Sequence, residues 1–359
     1  MKNLEFPIIG TKVKGLTKTF DLSSPIGRKA YFEAKAGTEI AEIKKILKRN
    51  TFIAYMLGKK NSGKGTYSKI FIEIFGNENV VHISIGDIVR SVHSELITKK
   101  GRYDIEDYLK KNYRGYISVK DGIEAILQRS TEKVSVPNEV MLTLIEREID
   151  KHEGKSMFID GFPRTLDQVS YSLFFRDLIG HRDDPDLFIL IDIAESIIDE
   201  RIKTRVVCPN CGIPRTPKLA LTSKIEYDKE EKKFYLLCDN PDCGSGARLV
   251  AKEGDNLGIE PIRSRLVQDE EILRQALILY GVPKVLLRNH IPVSEARKYF
   301  DNYEITPEYS FKWNSKAEKV DIMEKPWIIK DDNGIDCFSL LPAPVVLVMI
   351  KQLPEVLGI

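Results

Sequence analysis

The stretch LGKKNSGKGTYSK, Leu57–Lys69, constrains the fold more than any other part of the chain. It sets Gly58, Gly63, Lys64 and Thr66 in the spacing G-x-x-x-x-G-K-G-T. An apolar run, Thr51–Met56, precedes it, and a helix-like stretch, Tyr67–Phe75, follows. A strand, a glycine-rich loop and a helix in that order form a cradle of backbone N–H groups around a phosphate. The N–H groups at a helix N-terminus are unsatisfied and carry partial positive charge, so anions settle there. Gly58, Gly63 and Gly65 permit close approach and unusual dihedrals, and Asn61 tolerates the left-handed region better than most residues. Lys64 is placed to neutralise the β- and γ-phosphates of a nucleoside triphosphate, and the Thr66 hydroxyl to lie near Mg²⁺.

Beyond the loop, short apolar runs alternate with helix-like stretches. Val80–Gly86, Ser156–Phe162 and Leu187–Ile193 read as further strands beside Thr51–Gly58. Such runs, separated by helices, predict an α/β fold with a central parallel sheet covered on both faces. Ligands of these sheets bind at the carboxyl ends of the strands, where the loop, Asp87 and Asp160 all fall. Ile40, Ile43, Ile46 and Leu47 repeat at helical spacing within the first 50 residues and predict a packing helix, with Pro25 and Gly27 breaking the chain before it.

Bulk properties exclude several classes. Of 359 residues, 42% are hydrophobic and 30% charged, as in ordinary globular proteins, and a net charge of +2 implies no polyelectrolyte partner. The amino-terminal residues lack the pattern of a signal peptide, and no run approaches a membrane span. A cytoplasmic, monomeric protein is expected, without nucleic-acid or membrane partners.

Three more segments make the loop specific. HISIGDIVR (His82–Arg90), FIDGFPRTLDQ (Phe158–Gln168) and ERIKTR (Glu200–Arg205) follow it in the order found in adenylate kinases, and the chain resembles that family over most of Thr51–Gly281 and Pro342–Leu353. The resemblance implies a phosphate-loop three-layer core with two flaps, one over a monophosphate and one, the lid, over a triphosphate. It divides the chain into an N-terminal extension (1–50), core segments at 51–90, 156–205 and 252–359, a monophosphate flap with an insertion (91–155) and a lid (206–251), with a further insertion at 282–330. Carried over residue by residue, it assigns ATP to Gly58, Asn61, Ser62, Gly63, Lys64, Gly65, Thr66, Arg201 and Arg205. It assigns AMP to Ile85, Arg90, Gly161, Arg164, Gln168 and Arg265. Lys64, Arg90, Arg164, Arg201, Arg205, Lys252, Arg265 and Asp160 form the catalytic set. Lys252 replaces an arginine and so keeps the charge while losing the planar fork. Thr66, Asp87 and Asp160 would hold magnesium, partly through water.

The same residues suit the chemistry. Phosphoryl transfer needs positioning and charge neutralisation more than covalent steps, and a fan of cations supplies both. Gln168 stands where the family reads adenine through an amide, whereas Ile85 replaces a threonine, so AMP is the expected acceptor with loosened discrimination. A pyrimidine or broad-specificity monophosphate kinase, or a nucleotide-binding module without turnover, are the alternatives.

Four of the five cysteines form two pairs, Cys208/Cys211 and Cys238/Cys243, spaced C-x2-C-x26-C-x4-C. Each pair can turn both thiolates onto one tetrahedral ion, and four sulfurs leave no open position, so structural zinc is expected. Disulfides, an iron–sulfur site and a nucleic-acid-binding zinc ribbon compete, although the acidic EYDKEEKK between the pairs makes no clean basic surface. Within the resemblance, the pairs correspond to a zinc-bearing lid. Cys337 reads as a small core residue, His82, His152 and His290 as satisfied or exposed histidines, and the aromatics of Tyr299–Trp313 as a packing cluster. Tyr103–Tyr116 falls in the insertion before Val136.

Overall fold

The structure, a computed structural model, describes residues 6–128, 136–162, 181 and 183–358. Five parallel strands form the central sheet in the order Lys284–Arg288, Asp186–Asp192, Ile53–Gly58, Ser156–Asp160, Val80–Ser84. The strand leading into the phosphate loop is therefore the middle one. It pairs Met56 with Asp160 on one side and Gly58 with Ile191 on the other. This register sets the carboxylate of Asp160 at the sheet edge from which the loop emerges.

Alternation along the strands builds two cores. Ile53, Tyr55 and Leu57 face helices Ile85–Ile97, Asn138–Asp150 and Arg263–Ile278. Phe52, Ala54 and Met56 face helices Pro25–Ile46, Lys64–Phe75 and Pro342–Leu357. The result is the three-layer α/β core expected from the sequence. The fifth strand, Lys284–Arg288, was not anticipated: the region 282–330 reads as irregular because KVLLR is short and bounded by charge, and only Val285 and Leu287 are fully buried.

The N-terminal extension belongs to this core. Its helix starts at Pro25, with the Ser24 hydroxyl accepting the Gly27 N–H at 3.1 Å. Pro25 and Gly27 thus open the helix rather than break it, since a first-turn proline has no intrahelical N–H partner to lose. From this helix Lys35 reaches Glu304 at 2.9 Å and Asp301 at 2.7 Å, while Tyr31 and Thr11 donate to the same Glu304 carboxylate at 2.5 and 2.6 Å. Both Lys35 and Glu304 side chains are fully buried. Removing one partner of such a pair strands the rest, so Glu304→Leu should cost about 3–5 kcal/mol of stability. Urea unfolding checks this; a loss below about 1 kcal/mol at unchanged slope would show the network to be dispensable.

Residues 206–251 form a small all-β unit. Val206–Val207 pairs with Pro214–Arg215 and with Val250–Ala251, and Ile225–Asp228 forms a hairpin with Lys233–Leu236. A second hairpin, Pro307–Asn314 with Lys319–Pro326, comes from the C-terminal insertion and grips this unit. Trp313 stacks on Tyr227 at 4.9 Å and 19°, and Phe311 meets Phe234 at 5.6 Å. The Tyr309 N–H donates to the Lys218 carbonyl at 2.7 Å. The late aromatics do pack: Phe311 and Trp313 against the cysteine-bearing unit, Tyr299, Phe300 and Tyr303 against the core. Among the described residues, no helix is long and apolar enough to cross a membrane.

Candidate functional site

The phosphate loop takes the conformation its residues permit. Gly63 has φ 102° and Asn61 φ 66°. At Gly63 a side chain would strike the Tyr67 ring 2.8 Å away, and at Gly58 it would strike the Ser62 hydroxyl at 2.8 Å. Gly65 has no such constraint, its nearest neighbour lying 3.8 Å away. The helix Lys64–Phe75 begins at the lysine itself, so its free N–H groups open into the loop. Lys64 Nζ donates to the carbonyls of Gly58 at 2.8 Å and Lys59 at 3.3 Å, spanning the cradle. The Ser62 hydroxyl is buried with no hydrogen-bond partner among the described residues.

Lys59 and Lys60, the variable positions of the loop, hold it in place. The Lys59 side chain is 2% exposed, and its ammonium meets Glu195 at 3.0 Å, Glu270 at 3.0 Å and Asp332 at 3.4 Å. These acids come from three separate parts of the chain. Asp332 also accepts the Glu195 N–H at 2.7 Å, tying the first turn of helix Glu195–Lys203 to the turn that follows strand Ile328–Lys330. The Lys60 N–H donates to Asp269 at 2.8 Å, and the same carboxylate pairs with Arg265 at 2.7 Å. Arg265 therefore sits beside the loop. Sequence reading missed Lys59 and Asp269; only the i,i+4 spacing of Arg265 and Asp269 on one helix hinted at the second.

The other arginines differ in their company. Arg90 is exposed and paired with Asp87 in the first turns of helix Ile85–Ile97. Arg205 makes a two-pronged contact with Asp255, both bonds 2.6 Å, and holds that carboxyl below its usual range. Arg201 has no carboxylate partner among the described residues. Its guanidinium donates to Asn289 and Ser339, each at 3.3 Å. Asn289 in turn donates to the Tyr67 hydroxyl, on the loop's own helix, at 2.6 Å. Burial pulls the Arg201 guanidinium down from its usual range. Lys252 is exposed, and Ile85 is buried at the start of its helix. Gly161, with φ 88°, directly follows Asp160. Arg164 and Gln168 lie outside the described residues.

Asp160 has a partner that the sequence did not reveal. His82, expected to be satisfied or exposed, is satisfied by it: the ring sits 3.0 Å from Oδ2, because Val80–Ser84 pairs with Ser156–Asp160.

The four paired cysteines converge. Their sulfurs lie within 4.8 Å of one another, with Cys211 and Cys238 3.7 Å apart and no disulfide formed. Gly212 and Gly244 follow the pairs with φ 70° and 58°, turning the chain back under each. The Cys211 backbone N–H lowers the Cys208 thiol, while the neighbouring thiols raise that of Cys238, so the cluster shares protons that a metal would displace. Four sulfur donors at this spacing fit a closed tetrahedral zinc site.

Comparison with known proteins agrees with this geometry. The sequence model of a family described as an AAA domain matches residues 57–206. An adenylate kinase of Kosmotoga olearia is 31% identical over 201 residues, 56% of this chain and 74% of that protein. One from Petrotoga mobilis is 33% identical over 239 residues, covering 66% and 81%. The chain belongs to the adenylate kinase family. The family's adenylate kinase of Clostridium acetobutylicum is 28% identical over 249 residues, with 94% of its length covered. The chain is accordingly a phosphotransferase of the nucleoside monophosphate kinase class.

Proposed function

We propose that the chain transfers the γ-phosphoryl group of ATP to AMP, reversibly, giving two ADP. Arg201 carries the reading. A half-buried guanidinium with no carboxylate partner among the described residues, joined through Asn289 to the helix that opens from the phosphate loop, suits a polyphosphate. The names of the relatives support adenine nucleotides on both sides.

In this reading the loop's N–H groups cradle the donor phosphates. Lys64 swings from the loop carbonyls to the β- and γ-oxygens, where it meets the charge that develops in transfer. Arg201 and Arg205 hold the donor, Arg90 and Arg164 the acceptor phosphate, and Lys252 and Arg265 face the transferring group. Asp87, Asp255 and Asp269 keep their arginines extended until phosphate replaces them. The Thr66 hydroxyl and the Asp160 carboxylate are hard oxygen donors suited to magnesium, Asp160 through water, with Asp87 as a further carboxylate. Held by these oxygens, magnesium would supply neutralisation of the phosphate charge. His82 fixes one oxygen of Asp160 and so orients the other. Residues 206–251 act as a zinc-bearing lid and 91–155 as the acceptor flap.

Two adjacent nucleotide sites have a direct test. A bisubstrate analogue joining ATP to AMP should bind about 100-fold or more tighter than ATP alone. Affinity equal to that of ATP would argue against the second site.

One observation bears on specificity. Ile85 is a buried apolar side chain at the position that the family resemblance gives to the acceptor base. Apolar walls reject analogues weakly, and hydrogen-bonding ones strongly. Ile85→Thr should raise the ratio of kcat/KM for AMP over CMP by roughly 10-fold. An unchanged ratio would remove Ile85 from the acceptor site.

A further inference from the structure

The C-terminal region, from His290 within the insertion to Cys337 just beyond it, carries a second group of metal-type donors, far in sequence from the four paired cysteines. His290, in the strand His290–Pro292, and Cys337, in Asp336–Ser339, share one face of an antiparallel sheet, because His290 pairs with Ser339 and Pro292 with Cys337. Asp331 follows the third strand, Ile328–Lys330, directly. One ligand atom from each of the three lies within 4.8 Å of the others. All three residues are buried, at 3%, 0% and 8% exposure for His290, Cys337 and Asp331.

The three donors are held differently, and burial pushes the Cys337 thiol up to about 12, so a metal there must displace its proton. Asp331 spends Oδ1 on the N–H groups of Asn333 and Ile335, both at 2.9 Å, which fixes the carboxylate and leaves Oδ2 for another partner. The Cys337 thiol is in hydrogen-bond contact with that carboxylate. The imidazole of His290 is the unsatisfied member: its Nδ1 is buried with no hydrogen-bond partner among the described residues. A buried imidazole nitrogen without a partner is costly, and a ligated ion beside Asp331 and Cys337 would satisfy it.

We infer that His290, Asp331 and Cys337 bind a divalent cation of the zinc class. Nitrogen, sulfur and oxygen donors together suit zinc, whose bonds of about 2.0–2.3 Å bring tetrahedral ligands to about 3.5 Å from each other, a rotamer-scale contraction of the cluster. Three protein ligands leave one position for water. Coordination through Nδ1 puts the ring proton on Nε2. Arg288, whose Nη2 stands 3.5 Å from Nε2 at the limit of a hydrogen bond, then turns to Asp192, its register partner in the central sheet. The ion would join all three strands of the small sheet, and the turn at Asp331–Asp332 would carry that rigidity to Lys59 in the phosphate loop.

The test is metal content of the full chain, equilibrated with zinc and freed of excess, in three forms. The intact chain should hold about two zinc ions, and Cys337→Ser and Cys208→Ser about one each. A chelator should lower the melting temperature of Cys208→Ser further, because one ion remains to be removed. If Cys337→Ser holds as much zinc as the intact chain, the inference is overturned. If the intact chain holds one ion and Cys337→Ser none, the inference stands and the paired-cysteine site fails instead. Should Cys337→Ser not fold, His290→Gln replaces it with the same expected loss of one ion.

Discussion

Lys64→Ala is expected to lower kcat by about 10²–10³-fold, the loss seen when one preorganised charge partner of a transition state is removed. The fold should survive. The loop's shape rests on Gly63 and Asn61 in the left-handed region and on the buried Lys59 cluster, none of which needs the Lys64 ammonium. At rest Lys64 bonds the Gly58 and Lys59 carbonyls at 2.8 and 3.3 Å, part-buried contacts at the mouth of the loop. ATP should still bind, through the N–H groups and Arg201, so the loss should fall on kcat more than on KM. A variant with near-normal kcat would mean that the loop binds nucleotide without taking part in transfer.

Loss of the paired-cysteine metal should be as severe, but local. Structural zinc of this type contributes about 10–16 kcal/mol to the folding of the unit it closes. The unit around Cys208 has a small core, Leu236, Leu249, Cys208 and Cys238, too little to hold its turns alone. In Cys208→Ser the two cysteine turns should lose protection from hydrogen exchange before the central sheet does. The hairpin Ile225–Asp228/Lys233–Leu236 should outlast them, because Trp313 and Phe311 clamp it from outside. Protection unchanged across residues 206–251 would show that sulfur ligation is not what folds the unit.

Much of the core was legible because its signals are local. Four sheet strands are short apolar runs, and the loop's glycines stand where the backbone demands them at positions 58 and 63. The paired cysteines fixed their own convergence through spacing. What stayed hidden depends on residues brought together from afar. Lys59 looks like one more surface lysine until Glu195, Glu270 and Asp332 close over it. Glu304 gives no sign of lying buried against Lys35, and nothing near His82 in the sequence names Asp160 as its partner until sheet pairing sets them together. His290, expected to be satisfied or exposed, is instead buried with an unpartnered nitrogen. Periodicity reports which face of an element is apolar, and says nothing of which charges meet across the fold.

The central claim is that the acceptor is AMP. Purified full-length protein assayed with ATP and Mg²⁺ against AMP, GMP, CMP and UMP in turn tests it most directly. The account predicts the highest kcat/KM for AMP, with measurable turnover of the others. A higher kcat/KM for CMP or UMP than for AMP would contradict it and make the chain a pyrimidine nucleotide kinase.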